Sequence, residues 1–178
     1  MNDPNDPILV REMTLADCER VSEIRIRGWQ HAYKGLMPQP YLDALSVAED
    51  AERRRTFFVG ARSEVVNLVA ERAGGVVGWA CHGPYRDGEF RTEDAELYAI
   101  YVDVEQFGAG VGPALLRESV RRCADAGHRR MLLWVLKGND RARRFYERAG
   151  FTADGAEEPF DVDGVAVPEV RYARVLPG

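Results

Sequence analysis

The spacing of apolar residues changes along the chain from a helical to an extended pattern. A short strand is predicted at residues 8–13, followed by a Thr14–Asp17 sequence typical of a helix N-terminus. Apolar positions three and four residues apart then predict a long helix, a short one at 40–45 and a third at 47–59. The arginine run 53–55 is expected on the solvent face of the third helix.

Extended segments dominate after the third helix. Strands are predicted at 65–72, 76–82, 95–104, 130–136, 151–160 and 165–175, and helices at 110–126 and 139–149. Ala73-Gly74-Gly75 predicts the turn of a first hairpin, Gly83, Pro84 and Gly88 predict a loop, and Asp163-Gly164 predicts a second tight hairpin turn. The strand–helix–strand unit over 95–136 should be parallel with a right-handed crossover. The element order therefore predicts an α/β (α+β) fold with a central mixed sheet, in which a parallel βαβ core has helices on both faces.

The length and charge of the chain limit its organisation and its partners. The 178 residues fit one domain at roughly 150 residues per domain, which we expect at 8–178 after a disordered tail at 1–7. The 29 Asp and Glu residues exceed the 24 Lys and Arg residues, so the net charge is −5. This charge disfavours a nucleic-acid partner.

The chain also lacks the sequence features of a membrane or secreted protein. Its apolar stretches are far shorter than the roughly 20 residues of a membrane span, and residues 1–7 lack the basic and apolar regions of a signal peptide. Cys18, Cys81 and Cys123 are widely spaced, without the spacing of metal ligands. We therefore expect reduced core thiols in a cytoplasmic protein that has neither a metal site nor a membrane partner.

Three alternating glycines, Gly108, Gly110 and Gly112, follow a predicted strand and open a predicted helix. Small residues let backbone amides approach an anion, and a helix N-terminus adds positive partial charge. A Rossmann fingerprint would need a glycine where Pro113 stands, and a Walker loop would need a lysine that this loop lacks. The pattern predicts a main-chain cradle for a diphosphate. A glycine-rich connection without a ligand is the alternative.

A second motif follows the predicted buried strand. It comprises Asn139, Ala142, Phe145, Tyr146, Gly150 and Phe151 in the spacing N-x-x-A-x-x-F-Y-x-x-x-G-F. Together with the glycine loop at 107–112, this motif resembles the GNAT superfamily of N-acetyltransferases, and the predicted element order matches that family over nearly the whole chain. One position departs from the family pattern, because Phe107 stands where the family has Gln or Arg, with Gln106 one residue earlier.

The resemblance implies that acetyl-CoA binds in a V-shaped gap between the predicted strands 95–104 and 130–136. Its pantetheine arm would pair with the main chain of Ile100, Tyr101 and Val102. The diphosphate loop would comprise Phe107, Gly108, Ala109, Gly110, Val111, Gly112 and Pro113, and further cofactor contacts would come from Asn139, Ala142, Phe145 and Tyr146. Asn139 is also expected to cap its helix. The arginines at 141–144 are candidates for contact with the 3′-phosphate.

Acetyl transfer to an amine requires proton transfers at two atoms. The ammonium group, whose pKa is about 10, must lose a proton, and the departing thiolate should gain one. The resemblance places Tyr146 at the general-acid position. The alternative is a tyrosine that only packs and forms a hydrogen bond.

Glu96 is the candidate general base, since family members with a glutamate base have it on this strand and use it through water. Simple alternation along a strand would place Glu96 on one face with Tyr98 and Ile100. The alternative is a solvated carboxylate in an acidic run. Tyr98, His31 and His82 are weaker candidates for the base.

The acceptor site is expected beside the first long helix. Trp29 and Tyr33 share a helical face and could stack on an acceptor or bind its ammonium group, although such a pair is often core; Tyr98 is the third candidate contact. Two acidic groups are expected to rim the cleft or to be merely solvated: Asp87, Glu89, Glu93 and Asp94, and Glu157, Glu158, Asp161 and Asp163.

We therefore predict an acyltransferase that moves acetyl from acetyl-CoA to the primary amine of a small molecule by direct attack in a ternary complex. Acetylation of a protein N-terminus or lysine is one alternative. A CoA-binding regulatory module without turnover is the other. The resemblance leaves a homodimer open, because many family members pair through sheet edges or C-terminal hairpins.

Overall fold

The computed structural model describes residues 6–87 and 90–178, except for the side chains of residues 87, 90 and 91. The strands are β1 Leu9–Glu12, β2 Val66–Arg72, β3 Gly75–Asp87, β4 Phe90–Val102, β5 Arg130–Leu136, β6 Thr152–Val162 and β7 Val165–Val175. The helices are α1 Cys18–Ala32, α2 Gln39–Asp43, α3 Val47–Val59, α4 Val111–Asp125 and α5 Asp140–Arg148. Residues 1–5 of the predicted tail lie outside the described residues.

The strands form one sheet in the order β1-β2-β3-β4-β5-β7-β6. Only the central pair β4–β5 is parallel, and the flanking pairs are antiparallel. On one face, α1 packs through Cys18 and Val21 against Val69 and Trp79. On the other face, α4 and α5 cover β4 and β5. The predicted mixed sheet with a parallel core and helices on both faces is confirmed.

Two hairpin turns follow directly from the sequence. Ala73 and Gly74 join β2 to β3 with φ of 51° and 79°, and Asp163 and Gly164 join β6 to β7 with φ of 53° and 79°. Two consecutive left-handed residues match the twist of the flanking strands. The second turn fixes the register of the C-terminal hairpin, which matters for the site described below.

The hairpin of β3 and β4 is longer than predicted. Gly83 and Pro84 were expected in a loop, but both lie within β3. The pairing of β3 with β4 accommodates both residues because its register shifts between Cys81 and His82 and again between Pro84 and Arg86. Such bulges accommodate residues that regular pairing excludes. Gly88, the remaining residue of the expected loop, lies outside the described residues.

The arginine run on α3 does not lie wholly in solvent. Arg53 is exposed, but the Arg54 guanidinium lies 4.3 Å from the ring centroid of Trp79. Arg54 also donates to Ser22 Oγ at 3.1 Å and pairs with Asp50 at 3.1 Å. Since Asp50 and Arg54 are four residues apart, both lie on the inner face of the helix. The expectation of a solvent-facing run was wrong for this residue.

The three cysteines are unpaired and buried, as predicted. Burial raises the pKa of the Cys81 and Cys123 thiols to about 12, so both remain protonated at neutral pH. Among the helices that the structure describes, none is long and apolar enough to cross a membrane.

Candidate active site

A cleft opens in the middle of the sheet because the parallel strands diverge. β4 and β5 pair only at Ala95–Met131 and Glu96–Leu132. Beyond these pairs, residues 97–102 of β4 and 134–136 of β5 line a cleft of about 690 Å³. One edge of β4 therefore faces the cleft without a strand partner, so its main chain can bind an extended ligand. This opening corresponds to the V-shaped gap implied by the family resemblance.

Most of the predicted site residues line this one cleft. From the predicted cofactor set these are Ile100, Tyr101, Val102, Phe107, Gly108, Gly110, Val111, Gly112, Pro113, Asn139, Ala142, Phe145 and Tyr146, and from the predicted acceptor set Trp29, Tyr33 and Tyr98. Two predicted site residues, Ala109 and Glu96, are not part of its lining.

The glycine loop has the backbone conformation that an anion cradle needs. Gly108 and Gly110 have φ of 76° and 85°, in the left-handed region that favours glycine, and Gly110 is the N-cap of α4. The first turn of α4 contains no acidic residue. Gly112 lies close to α5, since a Cβ there would meet the Phe145 ring at 3.3 Å. These features fit a diphosphate bound by main-chain N–H groups at a helix N-terminus.

Phe107 forms part of a stack at this end of the cleft. The Arg141 guanidinium lies 3.9 Å from the ring centroid of Phe107, and the His31 ring lies at 5.4 Å. His31 and Arg141 also line the cleft. Arg143, in contrast, donates to Tyr172 Oη at 3.0 Å and to the Lys137 carbonyl at 2.9 Å. Of these two arginines, Arg141 is the one that remains available to a phosphate.

Tyr146 is buried on α5, with 9 % of its surface exposed, and it lines the cleft. The helix begins at Asn139, whose Oδ1 accepts from the Ala142 N–H at 3.2 Å, as predicted for a cap. The Tyr146 ring packs between Phe145 and Phe151, with centroids 5.2 and 6.1 Å away. Burial, aided by Tyr101, raises the pKa of the Tyr146 phenol well above its usual 10. The phenol thus remains protonated and can donate at the cleft wall.

Glu96, Tyr98 and Ile100 do not all lie on the one face that simple strand alternation predicts. Cys81 pairs with Ala99 and His82 with Leu97, so Tyr98 is the extra residue of a β-bulge. Tyr98 consequently packs on the α1 side of the sheet, whereas Ile100 packs on the α4 side. The expectation that all three share a face was wrong for Ile100, because the bulge reverses the alternation after Tyr98.

The Glu96 carboxylate is engaged within the β3–β4 hairpin. Its Oε2 lies 3.6 Å from Arg86 Nε and accepts from the main-chain N–H of Arg86, whose nitrogen is 3.4 Å away. Burial raises the pKa of this carboxyl, and Arg86 opposes the effect. The residue is therefore neither a solvated carboxylate nor a wall of the cleft.

Glu169 is the residue that the sequence analysis missed. Of the described residues, it alone brings a carboxyl group to the cleft wall. It lies on β7, paired with Leu136 on one side and Glu158 on the other. Burial and the negative charges of Glu158 and Glu96 raise the pKa of Glu169 to about 6. A half-buried carboxylate of this kind is a suitable proton acceptor near neutral pH.

The aromatic residues predicted for the acceptor site form a network across the cleft. Trp29 Nε1 donates to Tyr101 Oη at 2.8 Å, and the Tyr33 and Tyr101 hydroxyls are 3.4 Å apart. Burial raises the pKa of Tyr33, and so do its neighbours Tyr101, Tyr146 and Glu169. The last two are the acid and base candidates, so Tyr33 lies in the electrostatic environment of both. Trp29 and Tyr33 are at once core residues and cleft walls.

The weaker candidates for the base differ in position. Tyr98 lines the cleft, but its hydroxyl donates to the Pro84 carbonyl, and Arg86 lies 4.3 Å from its ring centroid. His82 is buried outside the cleft lining, and burial lowers its pKa to about 4. The Tyr98 hydroxyl is therefore already engaged, and His82 does not reach the cleft, so neither residue is placed to abstract a proton there.

The predicted acidic rim is mostly engaged elsewhere. Asp94 pairs with Arg130 at 2.7 Å, and Glu157 pairs with Lys137 at 3.0 Å. Asp161 accepts from the Gly164 N–H in the hairpin turn. Glu93, Glu158 and Asp163 are exposed outside the cleft lining. Glu89 and the side chain of Asp87 lie outside the described residues. Of the two possibilities for these residues, the structure favours solvated or locally paired charge, since none of the described ones lines the cleft.

Comparisons with known proteins agree with this geometry. The profile of the acetyltransferase (GNAT) family matches residues 24–151. The uncharacterized N-acetyltransferase YuaI of Bacillus subtilis is 30 % identical over 163 residues, covering 92 % of this chain and 90 % of its own. The 5-NmdU N-acetyltransferase of Pseudomonas phage PaMx11 is 33 % identical over 138 residues, covering 74 % of this chain and 92 % of its own.

Solved structures share the fold at lower identity. PaiA N-acetyltransferase from Thermoplasma acidophilum, crystallised with coenzyme A, superposes with a TM-score of 0.74 at 20 % identity, covering 95 % of this chain and 99 % of its own. The ribosomal-protein-alanine N-acetyltransferase from Brucella melitensis has a TM-score of 0.73 at 22 % identity, covering 94 % of this chain and 99 % of its own.

Proposed function

This chain belongs to the acetyltransferase (GNAT) family and uses acetyl-CoA as its acyl donor, and we propose that it acetylates the primary amine of a small molecule. The observation that carries the proposal is one cleft lined by the diphosphate loop, the Tyr146 phenol and the Glu169 carboxylate. These groups can bind the donor, protonate the leaving group and accept a proton from the amine.

We propose that Glu169 is the general base. A carboxyl with a pKa of about 6 is ionised at neutral pH and is a stronger base than an ordinary glutamate. It removes a proton from the acceptor ammonium, so that the nitrogen lone pair can attack. Glu96, the base predicted from the sequence, remains the competing candidate through its negative charge beside Glu169 and through a water-mediated route.

Tyr146 is proposed as the general acid. Acetyl-CoA, when bound, supplies an activated thioester carbonyl. As the N–C bond forms and the C–S bond breaks, Tyr146 gives its proton to the departing sulfur, and the second proton that the nitrogen loses on forming the amide restores the phenol. A phenol is a weaker acid than a thiol, so this transfer must be coupled to bond cleavage. The main chain at Ile100–Val102 and the loop amides hold the donor in position for this step.

The end of the cleft beside α1 supports an acceptor of limited size. Trp29 and Met37 pack in one cluster with Leu136, Val162 and Val167, so the segment after α1 contacts the C-terminal hairpin. This contact favours a bounded pocket over a groove open at both ends, which a peptide acceptor would need. The aromatic faces of Trp29 and Tyr33 suit an amine that retains its positive charge until Glu169 removes the proton.

A thiol-release assay with acetyl-CoA and a panel of small amines and peptides tests the proposal. We expect small amines to accelerate thiol release and peptides to have little effect. A peptide preference would support the protein-acetylating alternative. CoA binding without acceleration by any amine or peptide would support the regulatory module.

The choice of base is tested in the same assay. Glu169→Gln should lower kcat by about 10²-fold or more, whereas Glu96→Gln should have a much smaller effect. A larger loss of kcat in Glu96→Gln than in Glu169→Gln would instead identify Glu96 as the general base.

Two further expectations belong to this proposal. The buried free thiols Cys18, Cys81 and Cys123 favour a reducing compartment, which supports a cytoplasmic location. A homodimer also remains a prediction, which light scattering of the purified protein would test.

A further inference from the structure

Arg72, the last residue of β2, is buried beneath the diphosphate loop. Only 3 % of its surface is exposed. Its guanidinium donates to Gln106 Oε1 at 2.7 Å, to the Ala109 carbonyl at 2.8 Å and to the Asp6 carbonyl at 3.2 Å. Two of these three acceptors belong to the segment that carries the glycine loop. Arg72 therefore connects the edge of the sheet to the loop from below.

The charge of Arg72 is not balanced by a neighbouring carboxylate. Two half-buried arginines, Arg25 and Arg54, by contrast both pair with Asp50. All three hydrogen-bond acceptors of Arg72 are neutral oxygens, and no ion pair joins it to a carboxylate among the side chains that the structure describes. A buried cation without a counter-charge is costly unless an anion binds nearby.

The bond to Ala109 also determines which way the loop amides point. In a trans peptide the C=O and N–H groups point in opposite directions. Because the Ala109 carbonyl points down to Arg72, the N–H of the same peptide, which belongs to Gly110, points away from it. Gly110 lines the cleft and Ala109 does not. The arrangement thus turns one donor of the cradle toward the ligand.

We propose that Arg72 is a positioning residue for CoA, which holds the loop 106–110 with the Gly110 N–H directed into the cleft and places a positive charge beneath the bound diphosphate. The diphosphate is then the counter-charge that this buried guanidinium lacks. This assignment also gives Gln106 a role. The family pattern has its Gln or Arg at the position of Phe107, and here the polar side chain one residue earlier binds Arg72 instead.

Calorimetric titrations with CoA and with pantetheine, which lacks the diphosphate, test this role. Arg72→Met removes the charge and the three bonds while keeping an unbranched side chain. We expect its Kd for CoA to rise about 10- to 100-fold, as for the loss of a hydrogen bond to a charged group, with pantetheine affinity unchanged. Arg174→Met is the matched control, since Arg174 also donates to a backbone carbonyl, that of Ala149 at 2.8 Å.

A role confined to folding would give a different result. In that case Arg72→Met would lower the Tm of the free protein and weaken CoA and pantetheine equally. Unchanged CoA affinity would also overturn the proposal. If Arg72→Met does not fold, Arg72→Lys retains the charge but cannot reach all three acceptors. It should weaken CoA by a smaller factor than expected for methionine, again without affecting pantetheine, and equal losses for both ligands would contradict the assignment.

Discussion

Glu158 and Glu169 lie directly opposite each other on the antiparallel strands β6 and β7. Two like charges at such a pair destabilise each other, and this repulsion adds to burial in raising the pKa of Glu169 to about 6. Since Glu169 must be ionised to act as a base, turnover should rise with pH through an acidic limb near pH 6. Glu158→Gln removes one negative neighbour, so the limb should move to lower pH.

The pH dependence of kcat/KM for the amine, which reports the protein before the amine binds, measures this shift. The control is Glu157→Gln, because Glu157 is the neighbouring residue and pairs with Lys137. Two results would contradict Glu169 as the base. One is an acidic limb that does not move in Glu158→Gln, and the other is a limb that persists unchanged in Glu169→Gln.

Tyr146→Phe should leave the Kd for CoA unchanged and lower kcat by about 10²-fold, the usual contribution of a general acid. The ring would keep its contacts with Phe145 and Phe151, and only the proton donor would be lost. Tyr85→Phe is a suitable control, because Tyr85 is buried outside the cleft lining and accepts from Arg171 at 2.9 Å. Equal turnover of Tyr146→Phe and the control would show that Tyr146 only packs.

Gly110→Asp should abolish saturable CoA binding in a calorimetric titration. Gly110 has φ of 85° at the N-terminus of α4. Aspartate tolerates this conformation better than most residues, so the main effect is a negative charge where the diphosphate would lie. The same substitution at Gly155 provides the control, because this glycine has φ of 90° and a Cβ there would meet no heavy atom within 4 Å. Retained affinity in Gly110→Asp would place the diphosphate elsewhere.

His82 should make the free energy of unfolding pH-dependent. It is 3 % exposed, its Nδ1 has no hydrogen-bond partner within the described part of the chain, and burial, with Arg122 next, lowers its pKa from 6.5 to about 4. Between these values the unfolded chain binds a proton that the folded protein does not, so stability falls as pH decreases through this window. The difference between 6.5 and about 4 corresponds to about 3 kcal/mol of folding stability lost by pH 4.

Urea unfolding between pH 7 and pH 4 measures this effect. The wild type should lose stability more steeply than His82→Leu, which has no group to titrate at this position. Parallel pH dependences for the two proteins would show that His82 titrates similarly in the folded and unfolded states.

The parts of the fold that were predicted correctly depend on local sequence. The turns at Ala73-Gly74 and Asp163-Gly164, the Asn139 cap and the glycine loop each need particular residues over a few positions. The Asp163-Gly164 turn even fixes the pairing of Glu158 with Glu169, since both lie five residues from it on either side. A register count could therefore have found this pair from the sequence.

The incorrect expectations concern contacts between distant segments. A bulge at Tyr98 depends on the pairing of β3 with β4, and it places Ile100 on the opposite face from Tyr98, against the predicted alternation. The cleft-facing position of Glu169 depends on β7 pairing with β5, which is remote in sequence. Arg72 reaches the glycine loop only because β2 ends beneath it. Hydrophobic periodicity contains no information about such contacts.

A crystal structure with CoA would test the central claim most directly. The account predicts density for the diphosphate on the main-chain amides of residues 107–112, with the CoA sulfur beside the Tyr146 hydroxyl and an open space between that sulfur and Glu169. A diphosphate bound elsewhere on the surface, or a sulfur directed away from both Tyr146 and Glu169, would contradict it.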